Sequence, residues 1–220
     1  MNQLLKNGWA FYMYKVVFLD LCGTLVKENT TFDFFNKMIL PEKSFLLRAL
    51  WKSKFVQLVT KILTVCHIKY DMTKKSCLFM MRGHTECELR SLAKSYMSTL
   101  TWRRDILYKV EKLVQHGYKP VIVSASLPFL VEVVSNHLMI NTYISSEIEY
   151  EDGIFTGRLL TDLQGNKLDV LANKKVDKSI FITDNLDDII CKDVVNYFIA
   201  VTNAKNRAYW KENKVLIHVV

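Results

Sequence analysis

The chain has 220 residues, half of them hydrophobic, with 24% charged and only 7 Gly and 3 Pro; this is enough for one sizeable core, or a core plus a small cap, and it excludes a disordered chain. Lys and Arg outnumber Asp and Glu by 30 to 22, a formal charge of +8, which favours anionic ligands without choosing among phosphorylated metabolites, nucleic acid and an acidic membrane surface. The 5 cysteines are odd in number and form no CxxC or Cys/His cluster with zinc-ligand spacing, so reduced, isolated thiols and a cytoplasmic location are expected.

The N-terminal MNQLLKNGWAFYMYK has a short apolar stretch broken by polar residues and no small-residue cleavage site, so it does not read as a signal peptide. No run of about 18 uncharged apolar residues occurs; FLLRALWKSKFVQLVTKILTV is interrupted by Arg48, Lys52, Lys54 and Lys61. Residues 15–22, KVVFLDLC, form a short, nearly continuous apolar run, the pattern of a parallel strand buried on both faces, which Gly23 and Thr24 break.

From about residue 31 to 116 the pattern is helical. Leu47, Leu50, Trp51, Phe55, Leu58, Val59, Ile62 and Leu63 recur at helical spacing with lysines between them. Thr85 with Glu88 makes a capping-box signature ahead of Leu89, Leu92 and Ala93. A further helix is predicted from about Arg104 to His116, stopped by Gly117.

KPVIVS at 119–124 is the second predicted strand, and Pro128 stands where a helix can begin. EIEYEDGIFTGRL reads as a hairpin with Asp152-Gly153 in its turn. A helix near 166–174, the buried strand SIFIT ending at Asp184, a helix near 186–194, the strand YFIAV, a helix near 204–212 and VLIHV complete the chain. Alternating strands and helices with a long helical insertion after the first strand predict an open, mostly parallel α/β sheet with a helical cap. Ligands bind such sheets at the carboxyl ends of the strands, where Asp20, Ser124 and Asp184 all fall.

A lone strand-end Asp is as readily a structural cap as a reactive group. With Asp184 and Asp188 closing another strand end, two carboxylates face one crevice and repel unless a cation lies between them. All-oxygen ligation favours Mg²⁺. Ser124 and nearby amides are candidates to hold phosphate oxygens, and Lys167 to neutralise developing charge. Taken singly, Ser124 is a turn residue and Lys167 a solvated lysine.

The ordered set VVFLDLCGTL, VIVSAS, GNKLDVL and FITDNLDD resembles the four motifs of the haloacid dehalogenase-like superfamily, over roughly residues 15–219. Its details are similar to the phosphoserine-phosphatase-like branch, with a helical cap directly after the first motif. The resemblance implies a three-layer Rossmann-like core over 1–30 and 117–220 and a helical cap over 31–116. It implies a Mg²⁺-dependent phosphomonoester hydrolase in which Asp20 is the nucleophile that forms an aspartyl-phosphate. Asp20, Asp184 and the backbone carbonyl of Cys22 would bind the metal, and Thr24 would orient the first loop. Ser124 and Lys167 would hold the phosphoryl group, with Asp188 and Asn185 in support.

Asn185 stands where the family often has Ser, and Thr183 where it usually has Gly. The larger departure is Cys22, where phosphatases of the superfamily carry a second Asp that protonates the leaving oxygen and then activates water. A thiol, with an ordinary pKa of about 8.5, serves poorly in both roles. A slow phosphatase, a phosphotransferase and an inactive phosphate-binding or regulatory protein therefore all stay open.

In the cap, Lys43, Arg48, Lys52, Lys54, Lys61, Lys69, Lys74 and Lys75 fall among few acidic residues. A solvated lysine face over an ordinary core is the plainest reading. A positive lid for anionic substrates and a basic helix resting weakly on a membrane surface are the alternatives. No nucleic-acid partner is expected, because Trp51 and Phe55 fall on the apolar helical face, where they should be packed. The scattered histidines are not assigned to catalysis.

Overall fold

A computed structural model describes residues 15–53, 72–174 and 176–220. Strands β1 (Lys15–Leu19), β2 (Lys119–Ser124), β3 (Tyr143–Ser145), β6 (Lys178–Thr183), β7 (Tyr197–Thr202) and β8 (Leu216–Val219) form one sheet in the order β3-β2-β1-β6-β7-β8, parallel throughout. Strands β4 (Glu147–Glu151) and β5 (Ile154–Thr161) form a separate antiparallel hairpin whose turn holds Asp152 and Gly153 at positive φ. The α/β sheet expected from the sequence is therefore present.

The central strand β1 is apolar on both faces because both are covered. Val17 and Leu19 enter one core with the helices of the insertion; Val16 and Phe18 enter a second core with Phe181, Phe198 and Trp210. The chain order turns back at β1: β2 and β3 build outward on one side, β6 to β8 on the other. A crevice at the carboxyl ends opens at such a reversal.

Between β1 and β2 lie helices α1 (Thr30–Phe34, continuing through a π turn at Phe35–Ile39), α2 (Phe45–Lys52), α3 (Met72–Met81), α4 (Glu86–Met97) and α5 (Arg104–Gln115). Both bonds of the Thr85/Glu88 capping box form, and Gly117 follows α5 at φ 82°. Hairpin β4–β5 packs on α3 and bonds to the turn before α4: Gly83 N–H donates to Phe155 O at 2.9 Å and Glu86 N–H to Gly153 O at 3.1 Å. Helices α6 (Pro128–His137), α7 (Lys167–Ala172) and α8 (Arg207–Glu212) complete the flanking layers.

Several boundaries differ from the sequence reading. Strand β1 ends at Leu19 rather than residue 22, because the chain turns on Leu21, whose carbonyl accepts from the amides of Thr24, Leu25 and Val26. The expected helix near 186–194 is a 3₁₀ run, Leu186–Val194, and the one near 204–212 begins as a 3₁₀ turn at Ala204–Asn206. On α2, Trp51 packs against Phe35 with ring centroids 4.8 Å apart, but Leu47 and Leu50 are 43% and 55% exposed. An eight-residue helix has about two turns, and the contact of α2 with the 35–36 turn runs through Trp51, which also donates to Asn36. Phe55, Leu58, Val59, Ile62, Leu63, Lys54, Lys61 and Lys69 lie outside the described residues, as does the N-terminal segment through residue 14. Among the described residues no helix is long and apolar enough to cross a membrane.

Candidate active site

Asp20 directly follows β1, and its amide still donates to Ile182 O of β6 at 2.9 Å. Ser124 is the last residue of β2, and Asp184 follows the last of β6. Three neighbouring strands thus bring these residues to one sheet edge. Asp20, Cys22, Ser124, Lys167, Asp184 and Asn185 all line one cavity of about 540 Å³.

At its floor, Lys167, 2% exposed, places its ammonium 2.8 Å from Asp20 Oδ1 and 2.8 Å from Asp188 Oδ2. Burial alone would lower the Lys167 pKa, but the two carboxylates outweigh it and hold it above the usual lysine value. Replacing Lys167 with Met strands two buried carboxylates, and the expected cost is about 3–5 kcal/mol of stability. Denaturant melts of the Lys167→Met protein measure this; a loss below about 1 kcal/mol would contradict the ion pairing.

Asp188 sits behind Lys167 and does not line the cavity. Its Oδ2 also accepts from the Thr183 hydroxyl at 2.6 Å, and Thr183 Oγ1 in turn accepts from Asn185 N at 3.1 Å. Thr183, read in the sequence only as a missing glycine, therefore fixes Asp188. The Asn185 side chain accepts from Asp187 N at 3.2 Å, capping the 3₁₀ run.

Thr24 lies under the floor. Its hydroxyl accepts from Asp184 N at 2.9 Å and donates to Asp184 Oδ1 at 3.3 Å. Burial first, and then the neighbouring Asp20 charge, push the Asp184 carboxyl up to about 7. Gly23 makes this approach possible: at φ 70° it faces Asp184, and a Cβ there would stand 1.9 Å from Asp184 Oδ2. That contact has no signal in the sequence, where Gly23 reads only as a strand break.

Burial, and then the Asp20 charge, push the Cys22 thiol up to about 11. Its sulfur accepts from Thr30 N at 3.3 Å and lies 3.2 Å from Thr30 Oγ1, which is 2.5 Å from Ser126 Oγ. Ser126 N donates to Ser124 Oγ at 3.2 Å, leaving the Ser124 hydroxyl hydrogen for another acceptor.

Lys74 of α3 also lines the cavity. Counted in the sequence among solvated cap lysines, it is in fact 5% exposed. Its ammonium reaches Asp162 Oδ1 at 2.8 Å and the Ala125 carbonyl at 3.3 Å. Its partner lies 88 residues away, so no local pattern reveals it.

The profile of the haloacid dehalogenase-like hydrolases matches residues 17–191. No curated protein sequence matches the chain. Among solved structures, it is similar to a Bordetella pertussis Tohama I protein of unknown function, with a TM-score of 0.75 and 16% identity over 93% of this chain and 97% of the other. It is similar to phosphoserine phosphatase solved as a phospho-aspartyl intermediate analogue, with a TM-score of 0.62 and 16% identity over 93% and 92%. Cytosolic 5′-nucleotidase IIIB bound to cytidine aligns with a TM-score of 0.63 and 16% identity over 94% and 81%. At these identities the structures speak for the fold.

Proposed function

Because the chain belongs to the haloacid dehalogenase-like hydrolase family, we propose that it is a Mg²⁺-dependent phosphomonoester hydrolase working through an aspartyl-phosphate on Asp20, with residues 31–116 as its cap. The observation that carries this reading is the convergence of Asp20, Lys167, Ser124 and Asp184 on one cavity at the reversal point of the sheet.

The donor set fits the metal. One ammonium faces three carboxylates, Asp20, Asp184 and Asp188, and it is engaged by Asp20 and Asp188. Asp184 is left with its charge opposed by burial and by Asp20, the situation a divalent cation relieves. Among the described residues no three or more His, Cys, Asp or Glu side chains are grouped to hold a metal. Mg²⁺ characteristically takes only one or two carboxylates and completes its shell with water and phosphate oxygens. Asp20, Asp184 and the Cys22 carbonyl would hold it, and it supplies positive charge to the phosphate oxygens.

In the first step an Asp20 oxygen attacks phosphorus, the P–O ester bond breaks, and the departing oxygen takes a proton from solvent water. Lys167 and the Ser124 hydroxyl offset the charge on the phosphoryl oxygens. In the second step water attacks the acyl-phosphate, returning the Asp20 carboxylate and releasing inorganic phosphate. That water must lose its proton to bulk solvent, because Cys22 is a poor acceptor. With its thiol pKa near 11 it stays protonated and uncharged at neutral pH. For an activated ester such as p-nitrophenyl phosphate, whose leaving group needs no acid, the second step is therefore the slow one.

The test is release of p-nitrophenol from p-nitrophenyl phosphate with Mg²⁺ and with a chelator. Mg²⁺-dependent release is expected, and release equal in both conditions would overturn the metal assignment. No release, even in the first turnover, would favour a phosphate-binding protein.

Gly23→Ala provides a separate check. The added Cβ displaces the Asp184 carboxylate, so the rise in melting temperature caused by Mg²⁺ should disappear while the protein stays folded. An undiminished Mg²⁺ shift would remove Asp184 from the metal site.

A further inference from the structure

The cavity lining has two unlike sets of residues. Its floor holds the carboxylates and Lys167. Another part of the lining comes from the chain after β1, from α3 and from the turn after β5, and comprises Lys27, Asn29, Thr31, Phe32, Lys74 and Gln164. Two of these are cations and none is acidic. The Lys27 side chain is exposed, and none of the ion pairs among the described residues includes it.

Lys74 is buried, and it carries a counter-charge. Asp162 pairs with it at 2.8 Å but is not a lining residue, and Asp162 Oδ1 is also held by Ser146 Oγ at 3.3 Å and Gln164 N at 3.0 Å. Beyond Asp20 and Asp184, the carboxylate lining the cavity is Asp187, in the 3₁₀ run that follows β6.

We infer that the part of the lining with Lys27 and Lys74 is a subsite for a second anionic group. Resting on the phosphomonoester reading of the floor, this defines the substrate class: a small phosphomonoester whose organic part bears another negative charge and no ammonium group. With the phosphoryl group on Asp20 and Lys167, the rest of the molecule projects toward Lys27 and Lys74. A carboxylate or second phosphoryl group there gains a charge-assisted contact. An ammonium group meets two like charges and no carboxylate among these six residues, a rejection by repulsion as well as by missing contacts. A cavity of about 540 Å³ holds a small ligand of this kind.

The test uses three phosphates of nearly the same size, bound to the Asp20→Asn protein with Mg²⁺ so that none turns over, with affinities read by calorimetry. Phosphoglycolate should bind about tenfold tighter than ethyl phosphate, and ethyl phosphate tighter than phosphoethanolamine; tenfold is about 1.4 kcal/mol. Adding Lys27→Met, at an exposed position that leaves the fold intact, should reduce the phosphoglycolate advantage to about threefold or less. Equal affinities, phosphoethanolamine in first place, binding of none of the three, or an advantage untouched by Lys27→Met would each overturn the inference. If the native protein fails to hydrolyse p-nitrophenyl phosphate while the order of affinities holds, the hydrolase reading falls and the subsite stands. If hydrolysis occurs and the order is flat, the reverse is true.

Discussion

Replacing Asp20 with Asn lowers phosphate release by about 10³-fold or more, because an amide oxygen lacks the charge to displace an ester oxygen from phosphorus. The substitution is nearly isosteric, so the loss is chemical rather than structural. Lys167 keeps Asp188 as a partner at 2.8 Å, and one of the two carboxylates that share its ammonium is given up. The Asp20→Asn protein should therefore melt within a few degrees of the native one. Acid quenching during turnover should trap a phosphorylated native chain, detected by intact mass and labile to hydroxylamine, and should trap none in the variant. A rate within about tenfold of native would require another nucleophile.

Converting Cys22 to Asp should raise steady-state turnover by about 10²-fold, the lower end of what acid–base help contributes. The position offers hydrogen-bond donors to an anion, although burial and the Asp20 charge oppose the negative charge itself. The Thr30 amide donates to the sulfur at 3.3 Å and the Thr30 hydroxyl lies 3.2 Å from it, and a carboxylate would accept from both. The gain is held down because a further negative charge joins Asp20 and Asp184 in a buried site. The same crowding keeps the new carboxyl partly protonated, which suits an acid that must protonate a departing oxygen. Native protein should show a burst of one p-nitrophenol per chain followed by a slow phase, and Cys22→Asp should abolish the burst by accelerating the second step. Unchanged turnover with the burst intact would mean that something other than residue 22 limits dephosphorylation.

The parts of this site legible in the sequence are those tied to strand ends. A central parallel strand must be apolar on both faces, so the first polar residue after VVFL announces the strand's carboxyl end. KPVIVS and SIFIT announce theirs in the same way. Local signals were equally readable, as the Thr85/Glu88 capping box and the Asp152-Gly153 turn show. Contacts between distant segments were not. The approach of Gly23 to Asp184 and the Lys74–Asp162 pair depend on how strands and helices dock. The 186–194 segment has apolar spacing compatible with a helix, but its 3₁₀ winding is not separable from α by pattern alone. The exposure of Leu47 and Leu50 was hidden because helical periodicity marks an apolar face without saying what covers it.

The position of β1 in the sheet bears on how the molecule is made. It is the first strand among the described residues, yet its two neighbours are residues 119–122 and 178–182. During synthesis at about 5–20 residues per second, roughly ten seconds or more separate the emergence of VVFL from that of its second partner. Throughout that interval an apolar strand with an unpaired edge is open to mispairing, a hazard that grows with concentration and temperature. Because so much pairing is non-local, refolding from denaturant should also be slow for a chain of this size. Yield of folded protein should accordingly respond more to slowed expression at low temperature, or to added chaperone, than to changes on the exposed helices.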